Sequence, residues 1–485
     1  MVTKAIAIFL AAFFFLTLPG CAVNPVTGEK ELMFVSEGQE IEMGRRLYPN
    51  ALWAAEGGGG EFRDERLKGY LKDIILKIHG VSHRPDLPVD FSVQNSSVPN
   101  AWAIPGHVTI TRGLLSGLAN EAEFALVMGH EMGHVSARHS AKQMTYGMLQ
   151  QAGLAAAGIA LRSKNYSDAA LTAGAIGSTL VLLKYSRADE LQADNLGMLY
   201  MTRLGYDPKN AISAHRNLER AANDYLKSIG KESSEGGFFT ELLSTHPRTS
   251  VRIEELEKMK DSLGPVAIKG DGTDRERFQG MAAGLKTKDS IYREYYDRAV
   301  RAFQKDRLGE AKDLATRAIE ADKTQPPFYA LKGFISLEEK NLKDAAGYFN
   351  SALDIDRGYQ PALRGMGALN YMRANYHEGV RYLNEALGLF PEDPSSHYFL
   401  GMSYYRMRGY RDAIPHLDLF AGAQPRHPEV HGVLGICYEG TGDIRSAYNE
   451  YLLQIKVEQY NDMGRHARER VMFLKPLIEK PKKRK

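Results

Sequence analysis

Hydrophobic and polar positions follow three different patterns along this chain, and each predicts a different element. The stretch Ala125-Leu126-Val127-Met128-Gly129 runs on into His130-Glu131-Met132-Gly133-His134, an apolar, helix-compatible run. Asn120 stands where it can cap that helix, with Glu123 three residues on to complete a capping box. Shortly before it, the loop-like Asn100-Ala101-Trp102-Ala103-Ile104-Pro105-Gly106 leads into His107-Val108-Thr109-Ile110-Thr111, whose polar and apolar residues alternate as in a half-buried strand. In the second half, small residues recur at an interval of 34: Ala299, Gly333, Gly367, Gly401 and Gly435. Twelve residues after each come Ala311, Ala345, Gly379, Ala413 and Ala447, while Phe349, Leu383, Leu417 and Tyr451 keep register. Small residues at two fixed offsets let paired helices approach closely, so about five helical pairs are expected over 291–461, with Pro326, Pro394 and Pro428 marking repeat starts.

The chemistry lies in the first of these patterns. Residues four apart on a helix share a face within about 6 Å, so His130 and His134 can each offer a ring nitrogen to one Zn²⁺. Glu131, about 100° round the helix, is placed to act as general base on a water activated there. A third ligand is needed. Ser140 and Ala137 occupy the positions where an elongated three-histidine motif would have His and Gly, which excludes that variant. Downstream, Ser186-Arg187-Ala188-Asp189-Glu190-Leu191-Gln192-Ala193-Asp194 offers Glu190 as the ligand, with Asp194 on the same face to accept a hydrogen bond from a ligand histidine and fix its tautomer. His139, nine residues beyond His130, falls on the opposite side of an uninterrupted helix and reads as structural.

Asn24-Pro25-Val26-Thr27-Gly28, the His130 to His134 motif continuing into Arg138-His139-Ser140, the Ser186 to Asp194 block, and Thr245-His246-Pro247 followed by Arg252-Ile253 occur in this order. Together they resemble the zinc metallopeptidase family that includes HtpX and the CAAX prenyl proteases, in its soluble bacterial lipoprotein branch, over roughly residues 20 to 260. The resemblance implies one Zn²⁺ per chain held by His130, His134 and Glu190, with Glu131 as base. It places His246 near the metal, where it would steady an oxyanion or occupy the water position in a closed state; a plain helix-start histidine is the alternative. It also makes His107, Val108, Thr109 and Ile110 an edge strand on which an extended substrate could pair. One departure stands out: His107 follows Gly106 where the family usually has a second glycine.

The expected fold is mainly α with a small β-sheet in a zincin-like metallopeptidase domain, followed by an all-α tetratricopeptide solenoid. The expected boundaries are a leader at 1–20, the peptidase at 21–263, a linker at 264–290 around Gly264-Pro265 and Gly270-Asp271-Gly272, repeats at 291–461, and a terminal helix with basic tail at 462–485. Tyr371, Tyr398, Tyr404, Tyr405 and Tyr410 would make the concave repeat surface aromatic, some of them serving only inter-helix packing. Small-residue runs at 147–161 and 169–183 are too short to span a bilayer; they are expected to pair over the active site, or to dock on a membrane or nascent barrel.

Composition narrows the setting. With 485 residues, 44% hydrophobic and 25% charged, the chain can form two or more globular domains. A net charge of +3 without a basic stripe excludes nucleic-acid binding. Lys4, the apolar run to Leu16 and Leu18-Pro19-Gly20-Cys21 resemble a lipoprotein leader with Cys21 as the lipidated residue. That leaves Cys437 alone and no internal disulfide. Ala22 after the cysteine favours, by resemblance, an outer-membrane anchor facing the periplasm. The terminal Lys480-Pro481-Lys482-Lys483-Arg484-Lys485 reads as a solvated tail, with weak attraction to anionic lipid as the alternative. The function implied is outer-membrane protein quality control: the repeats recruit assembly machinery or misassembled outer-membrane proteins, and the peptidase removes failures. The competing class is a repeat-based chaperone or adaptor whose metal site is mostly closed.

Overall fold

The computed structural model describes residues 21–54, 59–149, 185–230 and 250–479. The leader 1–20, most of the two small-residue runs, His246 and the tail at 480–485 lie outside the described residues. The chain divides into two compact units, Met1–Glu294 and Tyr295–Lys485.

The first unit opens with a hairpin of β1 (Cys21–Val23) and β2 (Lys30–Leu32). The Asn24-Pro25-Val26-Thr27-Gly28 stretch is its turn: Asn24 Oδ1 accepts from the Val26 amide at 2.9 Å, and Gly28 takes φ +73°. Helix α1 (Glu37–Ala54) follows, then α2 (Glu65–Gly80), capped by Asp64. On α2, Leu67, Leu71, Ile74, Ile75 and Ile78 share one buried face. A three-stranded sheet contains β3 (Asp90–Gln94), β4 (Ala101–Ile104) and β5 (His107–Thr111) in the order β3-β5-β4. Strand β5 runs parallel to β3 and antiparallel to β4.

A short helix α3 (Arg112–Leu115) leads to α4 (Glu121–Ser136), almost all of whose residues are buried. The expected cap is there, with Asn120 Oδ1 accepting from the Glu123 amide at 2.8 Å, while the Glu123 carboxylate reaches the Ala119 amide at 2.7 Å. Then come α5 (Arg187–Arg203), α6 (Lys209–Ser228), α7 (Ser250–Ser262) and α8 (Arg275–Ile291). The expected linker at 264–290 is corrected here, because α8 is part of the core. Phe278, Ala282 and Leu285 recur at helical spacing and pack with Phe124 and Tyr70. The fully buried Arg112 pairs with Asp289, while Arg112 also donates to Asn95 and Ser97 and lies 4.0 Å from the centre of the Tyr292 ring.

The second unit consists of antiparallel helix pairs. Helices α9 (Asp297–Gln304) and α10 (Leu308–Ala321) form the first, then α11 (Pro326–Glu338) with α12 (Leu342–Ile355), and α13 (Gln360–Met372) with α14 (Tyr376–Leu389). Helices α15 (Pro394–Arg406) with α16 (Tyr410–Ala423), and α17 (Val430–Gly440) with α18 (Ile444–Val457), complete five pairs among the described residues; α19 (Asp462–Glu479) packs on the last. The small residues of the 34-residue pattern sit where the helices cross. A Cβ at Gly401 would lie 2.7 Å from Leu417 Cγ, and Gly333 faces the Phe349 ring just as closely. Tyr371, Tyr398, Tyr404, Tyr405 and Tyr410 are half-buried around the α15–α17 core, so packing takes up much of the aromatic surface expected of them.

Candidate metal centre

Among the described residues of the first unit, helices α4 and α5 share the most extensive helix–helix contact, and glycine makes their close approach possible. A Cβ at Gly197 would lie 2.8 Å from the His130 amide nitrogen, and one at Gly129 would lie 3.1 Å from Gly197 Cα. Any side chain would push the two helices apart. Ser186 and Asp189 form a capping box at the start of α5, fixing the first turn, in which Glu190 stands.

At this crossing His130, His134 and Glu190 offer three ligand atoms that all lie within 4.8 Å of one another, and all three residues are buried. His130 Nε2 and His134 Nε2 are 3.1 Å apart; Glu190 Oε1 lies 3.5 Å from His134 Nε2 and Glu190 Oε2 3.7 Å from His130 Nε2. Two imidazoles and one carboxylate converging in a buried pocket fit a divalent cation with an open coordination position. Glu131, also buried, carries its charge close enough to be felt by Arg252 and Tyr185.

Both histidines are oriented from behind. His130 Nδ1 sits 2.8 Å from Asp194 Oδ1, as the spacing of the Glu190 block leads one to expect. His134 Nδ1 instead meets His139 Nδ1 at 2.8 Å, and His139 Nε2 lies 2.9 Å from Gln192 Oε1. With His134 Nε2 presenting its lone pair, Nδ1–H donates to His139, whose own Nε2–H then donates to Gln192. Burial holds His139 below the usual histidine range, which suits a neutral acceptor. The reading of His139 as lying on the far side of the helix is therefore corrected. Helix α4 stops at Ser136, Arg138 turns the chain with φ +58°, and His139 comes back to the ligand. Arg138 holds the turn by pairing with the buried Glu40, which Arg84 also contacts.

Arg252 carries a role that the sequence alone did not assign. Its guanidinium donates to both Asp194 oxygens at 2.6 Å and lies 2.7 Å from Glu190 Oε2. Burial would raise the Asp194 carboxyl, but Arg252 outweighs it and, with His215 and His130, holds Asp194 well below the usual carboxylate range. Its place seven residues into the Thr245-His246-Pro247 element was the available signal. Tyr185 stacks on His134 with ring centres 3.9 Å apart, and its hydroxyl, pushed up by burial, lies 3.0 Å from Ser140 Oγ.

The substrate strand at His107, Val108, Thr109 and Ile110 is corrected. Strand β5 is the centre of the sheet, so both its hydrogen-bonding edges are taken, by β3 and β4. Residue alternation reports which face of a strand is buried and is silent about which edge is paired. The outer edge of β3 is approached by residues 60–62 through Phe62 N to Val93 O at 2.7 Å and Asn95 N to Gly60 O at 2.8 Å. Strand β4, packed beside α4, is the other edge. His107 itself stacks on Tyr48 with ring centres 3.9 Å apart, and Gly106 makes the preceding turn at φ +94°.

Residues 65–260 match Peptidase family M48 and residues 400–461 match a tetratricopeptide repeat. The chain is 25% identical over 240 residues to the beta-barrel assembly-enhancing protease of Escherichia coli K12, covering 48% of this chain and 46% of that one. It is 30% identical over 190 residues to the mitochondrial metalloendopeptidase OMA1 of Arabidopsis thaliana, covering 38% and 34%. A solved structure from the functional characterization of Pseudomonas aeruginosa pilF aligns with a TM-score of 0.34 at 18% identity, covering 40% of this chain and 92% of that one. The chain spans about half the length of the bacterial relatives it matches. It combines a Peptidase family M48 domain with tetratricopeptide repeats.

Proposed function

We propose that this protein is a zinc metalloendopeptidase that cleaves unfolded or misassembled outer-membrane proteins, recruited directly or with assembly machinery by its repeats. The observation that carries the reading is the convergence of His130, His134 and Glu190 beside the buried Glu131. Zinc held by those three side chains would supply a Lewis acid that activates water and polarises a peptide carbonyl. Glu131 takes the proton from the attacking water and delivers it to the leaving amine nitrogen. Asp194 and His139 hold the two imidazoles in their tautomers, and Arg252 fixes Asp194 and Glu190 together. An extended chain pairing along β4, the edge strand beside α4, would bring a backbone carbonyl to the site with little dependence on its side chains. His246 is carried into this reading as an oxyanion-stabilising or site-closing residue, on the strength of its sequence element alone.

The setting we propose is the periplasm, with Cys21 lipidated and anchored in the outer membrane. The leader pattern and the name of the Escherichia coli relative, a beta-barrel assembly-enhancing protease, support that setting. Among the described residues no helix is long and apolar enough to cross a membrane. A second reading, a chaperone or adaptor with a closed site, draws on the near-complete burial of His134 and Glu190. The two part at Glu131→Gln. The peptidase reading expects cleavage of an unfolded β-barrel precursor to fall by about 10²- to 10⁴-fold with bound metal unchanged. Cleavage at the wild-type rate would defeat it, and a cellular phenotype that outlasts lost cleavage would favour the adaptor.

A further inference from the structure

Helix α4 ends in a turn that its own residues disfavour. Arg138 takes φ +58°, the left-handed region that a residue with a Cβ rarely adopts, and such a conformation persists only where its surroundings fix it. The turn matters to the metal centre because it starts the next helix at His139 and brings that ring to His134, Nδ1 to Nδ1 at 2.8 Å. What fixes it comes from far upstream. Arg138 Nε donates to Glu40 Oε2 at 3.0 Å, and Arg138 Nη2 donates to the Val35 carbonyl at 2.8 Å. The same Glu40 oxygen accepts from Arg84 Nη2 at 3.0 Å, while Arg84 Nη1 donates at 2.9 Å to the carbonyl of Val135, in the last turn of α4. Glu40, Arg84 and Arg138 are all buried. Met33 and Val35 pack with Ala141, and the Phe34 amide donates to Thr145 Oγ1 at 3.0 Å, so the segment leaving the β1–β2 hairpin lies against the helix that begins at His139.

We infer that Glu40 is a positioning residue of the metal centre: through Arg138 and Arg84 it holds the end of α4 and the turn after it, and thereby sets where His139 meets the ligand His134. The role rests on the reading of His130, His134 and Glu190 as metal ligands. As glue, a carboxylate between two guanidiniums is ineffective, because the cost of drying three charges offsets most of their attraction, and well-packed apolar side chains would join α1 to the core as well. What the carboxylate adds is direction. One oxygen receives both guanidiniums, so the two grips on the chain, at Val135 before the turn and at Arg138 within it, are tied to a single point. The Asn24-Pro25-Val26-Thr27-Gly28 turn belongs to the same scheme: it folds β2 back on β1, and the chain then runs through Val35 and Glu40 to the end of α4.

The test measures metal rather than cleavage. Full-length chains carrying Glu40→Gln, Arg138→Gly, both together, or Asp289→Asn are compared with the wild type at a temperature well below unfolding. The readouts are chelator competition for Zn²⁺ and the visible ligand-field bands of the Co²⁺-substituted protein. Asp289→Asn is the control, since it breaks the buried pair with Arg112 of α3, in the same unit but not at the end of α4. Glu40→Gln is expected to weaken metal binding about tenfold, the lower end of the range for groups that orient ligands, and to shift the Co²⁺ bands. Asp289→Asn should lower the unfolding temperature and leave both readouts unchanged. Glycine takes a positive φ freely, so in the Arg138→Gly chain the further cost of Glu40→Gln should shrink to about twofold or less, the part that runs through Arg84. Wild-type affinity and bands in Glu40→Gln overturn the inference. So does an equal loss in Asp289→Asn, which would make Glu40 one more structural contact, and so does full additivity of Glu40→Gln with Arg138→Gly. Should Glu40→Gln not fold, Glu40→Asp, which keeps the charge on a shorter arm, is measured in its place against the same outcomes. A wild-type chain that bound no metal would take the ligand assignment down together with the inference, whereas equal binding by wild type and variant overturns the inference alone.

Discussion

The two units of this protein bury polar groups to very different extents. In the first, the α4–α5 crossing encloses two histidines, three carboxylates and Arg252, each meeting a partner far away in sequence. In the second, the helix crossings are closed by glycine or alanine against Phe349, Leu383, Leu417 and Tyr451, and each pair mainly contacts the next. The first arrangement holds a reactive constellation rigid at the cost of long-range dependence on single residues. The second spreads stability over nearest neighbours and tolerates local damage.

The contrast can be broken or sharpened by substitution. The largest effect is expected from Glu190→Ala, which removes one of three candidate ligands. Metal affinity measured by chelator competition should fall by more than roughly 100-fold, since residues merely orienting a ligand already cost 10- to 100-fold. The repeats should unfold at an unchanged temperature, and a repeat unit that melted earlier would break the comparison. Next comes Arg252→Leu, which leaves Asp194 and Glu190 buried without their cation. A loss of about 3–5 kcal/mol is expected in denaturant unfolding of the first unit, and a loss within error would show that Arg252 is dispensable there.

Gly401→Val, its repeat-unit counterpart, drives a side chain into Leu417 and should cost about 1–3 kcal/mol. Metal content should stay the same. The smallest effect concerns pH in the repeats. Burial disfavours the charged form of His431, but the Glu450 carboxylate 2.7 Å away and the Pro425 carbonyl outweigh it, so His431 titrates above the usual histidine value. A folded-state value above the unfolded one stabilises the repeats fully at pH below the unfolded value. That contribution is lost as pH rises through the folded value. Repeat stability should therefore decline by about 1 kcal/mol or less across that window, and Glu450→Gln should flatten the decline; an unchanged slope in the variant would remove His431 as the cause.

What the sequence disclosed follows from the range of each interaction. The repeat period is a nearest-neighbour property and is visible in Gly333, Gly367, Gly401 and Gly435 directly. His130 and His134 are legible because four residues on a helix fix their geometry, and Glu190 and Asp194 because they share one helix face. The place of His139 is not legible in helical spacing, because the helix ends at Ser136 and Arg138 takes a positive φ. The central place of strand β5 is not legible because the pattern of one strand cannot reveal its neighbours. Helix α8 is masked in the sequence by Gly264-Pro265 and Gly270-Asp271-Gly272, which have the composition of a linker, although Phe278, Ala282 and Leu285 carry helical spacing.

Helix α8 also bears on how this protein can be dissected. A fragment ended near residue 263, where glycine and proline invite a cut, would strip Phe278, Ala282 and Leu285 from the core they share with Phe124 and Tyr70. It would also strand the Arg112 guanidinium without Asp289, an imbalance of the size that unfolds small domains. The peptidase half should thus be produced through residue 294, and inactivity of anything shorter would report a damaged core rather than a missing repeat array.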